Sequence, residues 1–177
     1  RTWKRFMNPD VANNTEHMFR VAWIALTIAK HEKGVNHERL LKLALLHDVP
    51  ESRTGDVDYI SRLYTQRNEK LATQDMFSGT IHEDAIELLE EYEKRESLES
   101  KIVKDADNLD VEFELVEQEH RGHAMGTIWN KIRKDGVYPK LYTETAKKLW
   151  DDIHTANPHD WHLNGRNRHN SGDWKTQ

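Results

Sequence analysis

Cysteine is absent from all 177 positions of the chain. That absence removes disulfide frameworks, thiolate zinc sites, iron–sulfur clusters and cysteine nucleophiles together. A metal would have to be bound by His, Asp or Glu, and such donors suit Mn, Fe, Co, Ni or Zn. Long apolar runs are also missing. No stretch approaches the length of a membrane span and no charged-then-apolar signal segment opens the chain, so a cytoplasmic protein is the default expectation. A surplus of positive charge is the third absence. The 26 Lys and Arg residues are outnumbered by 31 Asp and Glu, for a formal net charge of −5, and the cations are scattered rather than clustered. An extended nucleic acid therefore finds no basic track.

What is present is polar yet periodic. Hydrophobic residues make up 36% and charged residues 32% of the chain, with too many patterned apolar runs for wholesale disorder, and the length suits one domain able to bury a core. Met18 to Ala29 is apolar on almost every side and reads as a central buried helix with Thr15 as its N-cap. Gly34 punctuates its end, and a second helix starts near Asn36 or His37 and runs to His47-Asp48. One or two helices are expected between Tyr59 and Phe77, and another from His82 to Lys94, with the acids from Glu83 to Glu99 facing solvent. A longer helix from Leu98 to Glu119 has Ile102, Ala106, Leu109, Phe113 and Val116 as its buried stripe. Shorter candidates follow at Trp129 to Lys134 and Leu141 to Ile153. No strand pattern competes and no internal repeat is visible. The expected fold is an all-α, single-domain helical bundle over residues 1–155, with residues 156–177 as an irregular tail.

The adjacent pair His47-Asp48 carries the most information. It closes the apolar run Leu40, Leu41, Leu43, Ala44, Leu45 and Leu46, so an imidazole and a carboxylate are delivered together by a greasy segment, and buried polar groups need partners. Neighbouring residues on a helix point about 100° apart, so both reach one ion only near a helix end. Pro50 supplies that end. Two apolar helices joined by a few residues pack antiparallel as a rule, which sets His17, at the start of the first, beside His47 and Asp48 at the end of the second. Further on, Lys104-Asp105-Ala106-Asp107-Asn108-Leu109-Asp110 puts three acids around the buried stripe, a costly arrangement unless water or a cation meets them. Periodicity leaves open whether Asp105 or Asp107 turns toward that site.

The order His17, then His47-Asp48, then Asp107 in an Ala-Asp-x-Leu element resembles the HD-domain phosphohydrolase superfamily, and within it the 5′-deoxynucleotidase branch. Further matches over roughly residues 1 to 120 are Arg1-Thr2-Trp3, Glu16-His17, Glu51 after the pair, and Gly55-Asp56. Asp58 and Tyr59 stand where the branch more usually has a Pro-containing sequence. The resemblance implies an HD-type bundle and one divalent transition metal held by His17, His47, Asp48 and Asp107. It implies catalytic roles for Asp48 and Glu51, the latter holding or deprotonating the attacking water. Arg1, or alternatively Arg5, would fork onto the phosphate; Trp3 would pack on the sugar and disfavour a ribose 2′-hydroxyl; Asp56 would accept from the 3′-hydroxyl. The implied reaction is hydrolysis of a deoxyribonucleoside 5′-monophosphate to nucleoside and phosphate by metal-activated water. The implied partners are a small nucleotide and a second copy of the chain in a homodimer.

Two other readings compete. A deoxynucleoside triphosphate phosphohydrolase needs cations for the additional phosphates, and Arg53, Arg62 or Lys104 could serve. A metal-stabilised nucleotide-binding or scaffold module would keep the ligands but has no use for a water-activating acid such as Glu51. Two-metal relatives need further His ligands between the pair and the last Asp, and His82 alone lies there. Arg20, one turn beyond His17, reads as half of a structural ion pair. His31, His37, His82, His120 and His123 read as structural, and His154, His159, His162 and His169 as an incidental cluster.

Overall fold

The structure, a computed structural model, describes residues 3–7 and 9–163. All regular structure among them is helical, without a strand. The α-helices are α1 (Asn14–Ala29), α2 (His37–Leu46), α3 (Glu51–Thr54), α4 (Glu69–Phe77), α5 (Asp84–Lys94), α6 (Leu98–His120), α7 (Met125–Gly136), α8 (Glu144–Thr155) and α9 (Asp160–Leu163). Short 3-10 turns at Trp3–Arg5, Ser61–Leu63 and Tyr138–Lys140 fill the connections.

Local chemistry starts these helices. Asn13, not Thr15, caps α1: its side chain accepts from the Thr15 and Glu16 amides, while Glu16 reaches back to the Asn13 amide in a complete capping box. A reciprocal box satisfies two orphan donors where Thr15 alone would satisfy one, so the helix begins a residue or two earlier than expected. Asn36, Asn68, Ser97 and Thr143 cap α2, α4, α6 and α8 through their side chains.

The 23-residue α6 is the axis of the bundle and touches α1, α2, α5, α7 and α8. The main core joins Val21, Ala25 and Ile28 of α1 with Leu40 and Leu43 of α2, Ile102, Ala106 and Leu109 of α6, and Trp150 of α8. A satellite cluster of Trp3, Leu115 and Met125 ties the N-terminal turn to α6 and α7. Gly126 permits that approach, since a Cβ there would come within 2.6 Å of the Leu115 carbonyl oxygen.

Three expectations about burial are corrected. Helix α1 is not enclosed on all sides: Phe19 and Trp23, four apart, are 62% and 61% exposed, because the packing partners α2 and α6 cover the other faces. Phe113 of the expected stripe is 38% exposed while Asp110, Glu112, Glu114 and Leu115 are buried. A helix wrapped by five others has no single inward line, and its acids are buried because partners meet them. Glu99 likewise is buried rather than solvent-facing, accepting from the Asn36 amide, and Glu91 is ion-paired with Arg39. Of the tail, residues 160–163 form α9; Arg1, His169 and Trp174 lie outside the described residues.

Candidate metal centre

The site forms where the start of α1, the end of α2 and the middle of α6 meet. The antiparallel α1–α2 pairing brings Asn14 to the turn after α2, its side-chain amide donating to the Asp48 carbonyl at 3.0 Å. His17, on the first turn of α1, and His47, at the C-cap of α2, face one another with ring centroids 5.4 Å apart. The Asp48 Oδ2 and Asp107 Oδ1 atoms lie 3.2 and 3.3 Å from His17 Nε2, and Asp48 Oδ1 is 3.6 Å from His47 Nε2. One donor atom each from His17, His47 and Asp48 falls within a 4.8 Å cluster, the geometry of a shared cation.

The protonation pattern fits a metal. His47 Nδ1 sits 2.8 Å from the Ala44 carbonyl, which can only accept, so Nδ1 carries the proton and Nε2 the lone pair. That Nε2 is enclosed without a hydrogen-bond partner, a loss that a coordinated cation would remove. Burial pushes the His47 pKa down, keeping the ring neutral as a ligand requires. Burial opposes the Asp48 and Asp107 carboxylates, yet their neighbours outweigh it and hold both pKa values low. For Asp48 these are the His17 hydrogen bond and His47; for Asp107 they are Lys104 and then His17. A site of two imidazole nitrogens and carboxylate oxygens can hold a divalent transition ion.

Sequence reasoning missed the residue that orients His17. The Asp110 Oδ2 atom lies 2.6 Å from His17 Nδ1, and Arg20 donates to Oδ1 of the same carboxylate at 2.5 Å. Arg20 also pairs with Glu114 at 2.8 Å, the structural ion pair anticipated for it. The available signal was spacing, since Asp110 follows Asp107 by three residues on one helix. Of Asp105 and Asp107, Asp107 is the one that lies beside His17. Asp105 is wholly buried on the other side, accepting from the Tyr142 and Thr143 amides and the Thr143 hydroxyl to start α8.

A cavity of about 400 Å³ opens over the cluster. Glu51, the first residue of α3, stands in its wall, where burial and the Asp48 charge push its pKa up to about 7 against the pull of Arg67. Arg67, unforeseen in the sequence, donates to Glu51 at 2.8 Å and to the Gly55 carbonyl at 3.1 Å. Gly55 ends α3 at φ 78°, a left-handed turn suited to glycine, and delivers Asp56 to the same wall. Trp3 lines the cavity in edge contact with Trp129 at 5.5 Å, and Phe6 stacks on Tyr59 at 5.6 Å beside them. Arg5 does not line it; its guanidinium is spent on Asp58 and Ser61. Lys104 and Arg62 reach the cavity while Arg53 and the exposed His82 do not.

The geometry agrees with the comparisons. An HD domain model matches residues 1–150, and the chain belongs to the HD domain family. Among named relatives it is similar to 5′-deoxynucleotidase HDDC2 of Bos taurus, 33% identical over 141 residues covering 76% of this chain and 63% of that protein. It is also similar to 5′-deoxynucleotidase HDDC2 of Danio rerio, 37% identical over 111 residues covering 59% and 54%. The chain thus spans little more than half the length of the first of the curated relatives it matches. A solved structure of a conserved hypothetical protein from Pyrococcus furiosus superposes with a TM-score of 0.73 at 26% identity, over 87% of this chain and 90% of that one.

Proposed function

We propose that the protein is a metal-dependent 5′-deoxynucleotidase, hydrolysing deoxyribonucleoside 5′-monophosphates to nucleoside and phosphate. The observation that carries this reading is the meeting, in one cavity, of the His17–His47–Asp48 cluster with a half-buried acid, Glu51, whose pKa is raised to about 7. A divalent ion bound there would supply charge neutralisation for the phosphate ester and acidification of water. Asp107 is the fourth ligand in this reading, its Oδ1 turned to His17 and its Oδ2 held by Lys104 at 2.7 Å. Glu51 takes the proton from the attacking water, and an acid with a pKa near neutrality suits that role. Trp3 packs on the deoxyribose, with Trp129, Phe6 and Tyr59 as further aromatic surface, and Asp56 accepts from the 3′-hydroxyl. Arg1 retains the phosphate role implied by resemblance. The names of the HDDC2 relatives support the substrate class.

The homodimer belongs to the same reading and rests on resemblance, and a cytoplasmic location is proposed from the sequence pattern alone. Among the described residues, no helix is long and apolar enough to cross a membrane. The domain division, residues 1–155 with a separate tail, is proposed likewise. A triphosphohydrolase remains the second reading, and of the cations considered for its further phosphates Arg62 and Lys104 line the cavity. The scaffold alternative is disfavoured by Glu51, whose burial beside Asp48 is of no use to a passive module. The test is phosphate release from a deoxynucleoside 5′-monophosphate by metal-loaded protein and by Glu51→Gln. The variant should keep its metal and lose about 10²–10⁴-fold in kcat; equal rates would remove Glu51 from the chemistry.

A further inference from the structure

Arg95 is the unusual cation of the cavity wall. It closes α5 in the left-handed region at φ 54°, where helices ordinarily place glycine because a Cβ strains the backbone. Its guanidinium lies over the Tyr92 ring, 3.4 Å from Cζ to centroid, and Tyr92 in turn meets His47 with centroids 5.3 Å apart. The stack thus leads in two steps from Arg95 to the metal cluster. Yet Nη1 of Arg95 is enclosed without a hydrogen-bond partner, and Nη2 comes only within 3.9 Å of Glu93.

The other cations of the wall are already engaged. Arg67 is spent on Glu51, Lys104 on Asp107, Arg133 on Glu112 and the Asn108 carbonyl, and Arg62 on the Val57 carbonyl. A buried cationic donor left unmet is costly, and strained backbone persists where the surroundings enforce it, often at ligand clamps. Two independent costs fall on one residue that lines the cavity and whose side chain is 17% exposed. The Tyr92 ring meets the face of the guanidinium, but no hydrogen bond within the protein meets its Nη1 edge. An anion entering the cavity would offset the electrostatic one, because a guanidinium presents planar paired donors that match phosphate oxygens.

We propose that Arg95 holds the phosphate of the substrate, gripping the oxygens turned away from the His17–His47–Asp48 cluster. The proposal rests on reading the cavity as a phosphate-ester site and adds to it a residue that the family resemblance does not supply.

The test uses inorganic phosphate, the expected product, titrated calorimetrically into the metal-loaded full chain. It is run on wild type, Arg95→Lys, Arg95→Gln and Arg95→Gly, with bound metal and Tm measured for each. Arg95→Gln and Arg95→Gly should weaken phosphate binding by roughly ten- to a hundredfold, and Arg95→Lys by less. All should hold as much metal as wild type, and Arg95→Gly should melt no lower because glycine relieves the left-handed turn. A wild type that binds no phosphate, or variants that bind it equally well, would overturn the proposal. So would joint loss of metal and phosphate, which would make Arg95 a prop for Tyr92 and His47. Turnover of deoxynucleotides by wild type is read separately. Arg95-dependent phosphate binding without such turnover would sink the nucleotidase reading and leave Arg95 as the anion-holding residue.

Discussion

His17 concentrates the logic of the site because both of its ring nitrogens have assigned surroundings. Nδ1 faces Asp110 at 2.6 Å, and Nε2 faces Asp48 and Asp107. A carboxylate behind a ligand imidazole fixes its tautomer and orientation and raises its basicity. Asp110→Asn should therefore lower metal affinity by about 10–100-fold while leaving one ion bound at saturation, as read by competition with a chelator. Asp107→Asn should lose the ion more completely. Asp105→Asn makes the contrast: it should keep metal binding and lose about 1–3 kcal/mol of stability in denaturant melts, since a carboxylate that starts α8 would meet two amides and a hydroxyl with only one acceptor oxygen. If Asp105→Asn abolished metal binding and Asp107→Asn did not, the ligand assignment would be wrong.

Element by element, the short α3 shows how function competes with stability. Burial and the nearby Asp48 raise Glu51 from its ordinary 4.5 to about 7. A raised carboxyl pKa means the folded state binds that proton more tightly than the unfolded chain does. Its contribution to stability is then fully present below about 4.5 and lost as pH climbs toward 7. In metal-stripped protein, Glu51→Gln should melt higher than wild type above pH 7, with the difference vanishing below about 4.5. A constant difference across that window would contradict a raised Glu51 pKa. The same element scale shows what was legible beforehand. A short link between two apolar helices was enough to place His17 beside His47 and Asp48, because the geometry of a helical hairpin is local. Arg67 was not legible, since its contact with Glu51 depends on how the chain returns from the Ser61–Leu63 turn to α4. Nor was the burial of Glu112, which Arg133 of α7 and His154 of α8 meet from elements far along the chain. A pattern that counts acids as outward fails where distant partners neutralise them. The exposed Phe19 and Trp23 mark the opposite failure, apolar residues on the face of α1 that α2 and α6 do not cover.

For the molecule as a whole, the candidate cluster spans three helices, with proposed ligands from α1, from the end of α2 and from α6. Metal binding and global stability should then be linked. At free metal about a hundredfold above Kd, binding contributes about 2.7 kcal/mol, or a Tm rise of roughly 5–10 °C for a domain of this size. Scanning calorimetry before and after chelation checks this, and a Tm indifferent to metal would contradict a site that spans the bundle. The all-α bundle and its helix order were readable from periodicity, whereas the cavity wall was only partly so. Trp3 and Asp56 reach it, but Arg95, Tyr92 and Trp129 do so through packing that no motif announces.

The activity proposed for this cavity is hydrolysis of deoxyribonucleoside 5′-monophosphates. Its most direct test is product analysis after metal-loaded protein is incubated separately with deoxy- and ribonucleoside 5′-monophosphates and with deoxynucleoside triphosphates. Nucleoside and inorganic phosphate are expected from the deoxymonophosphates, with ribonucleotides turned over more slowly. Release of intact triphosphate would move the assignment to a triphosphohydrolase, and no turnover of any nucleotide despite stoichiometric metal would contradict the claim outright.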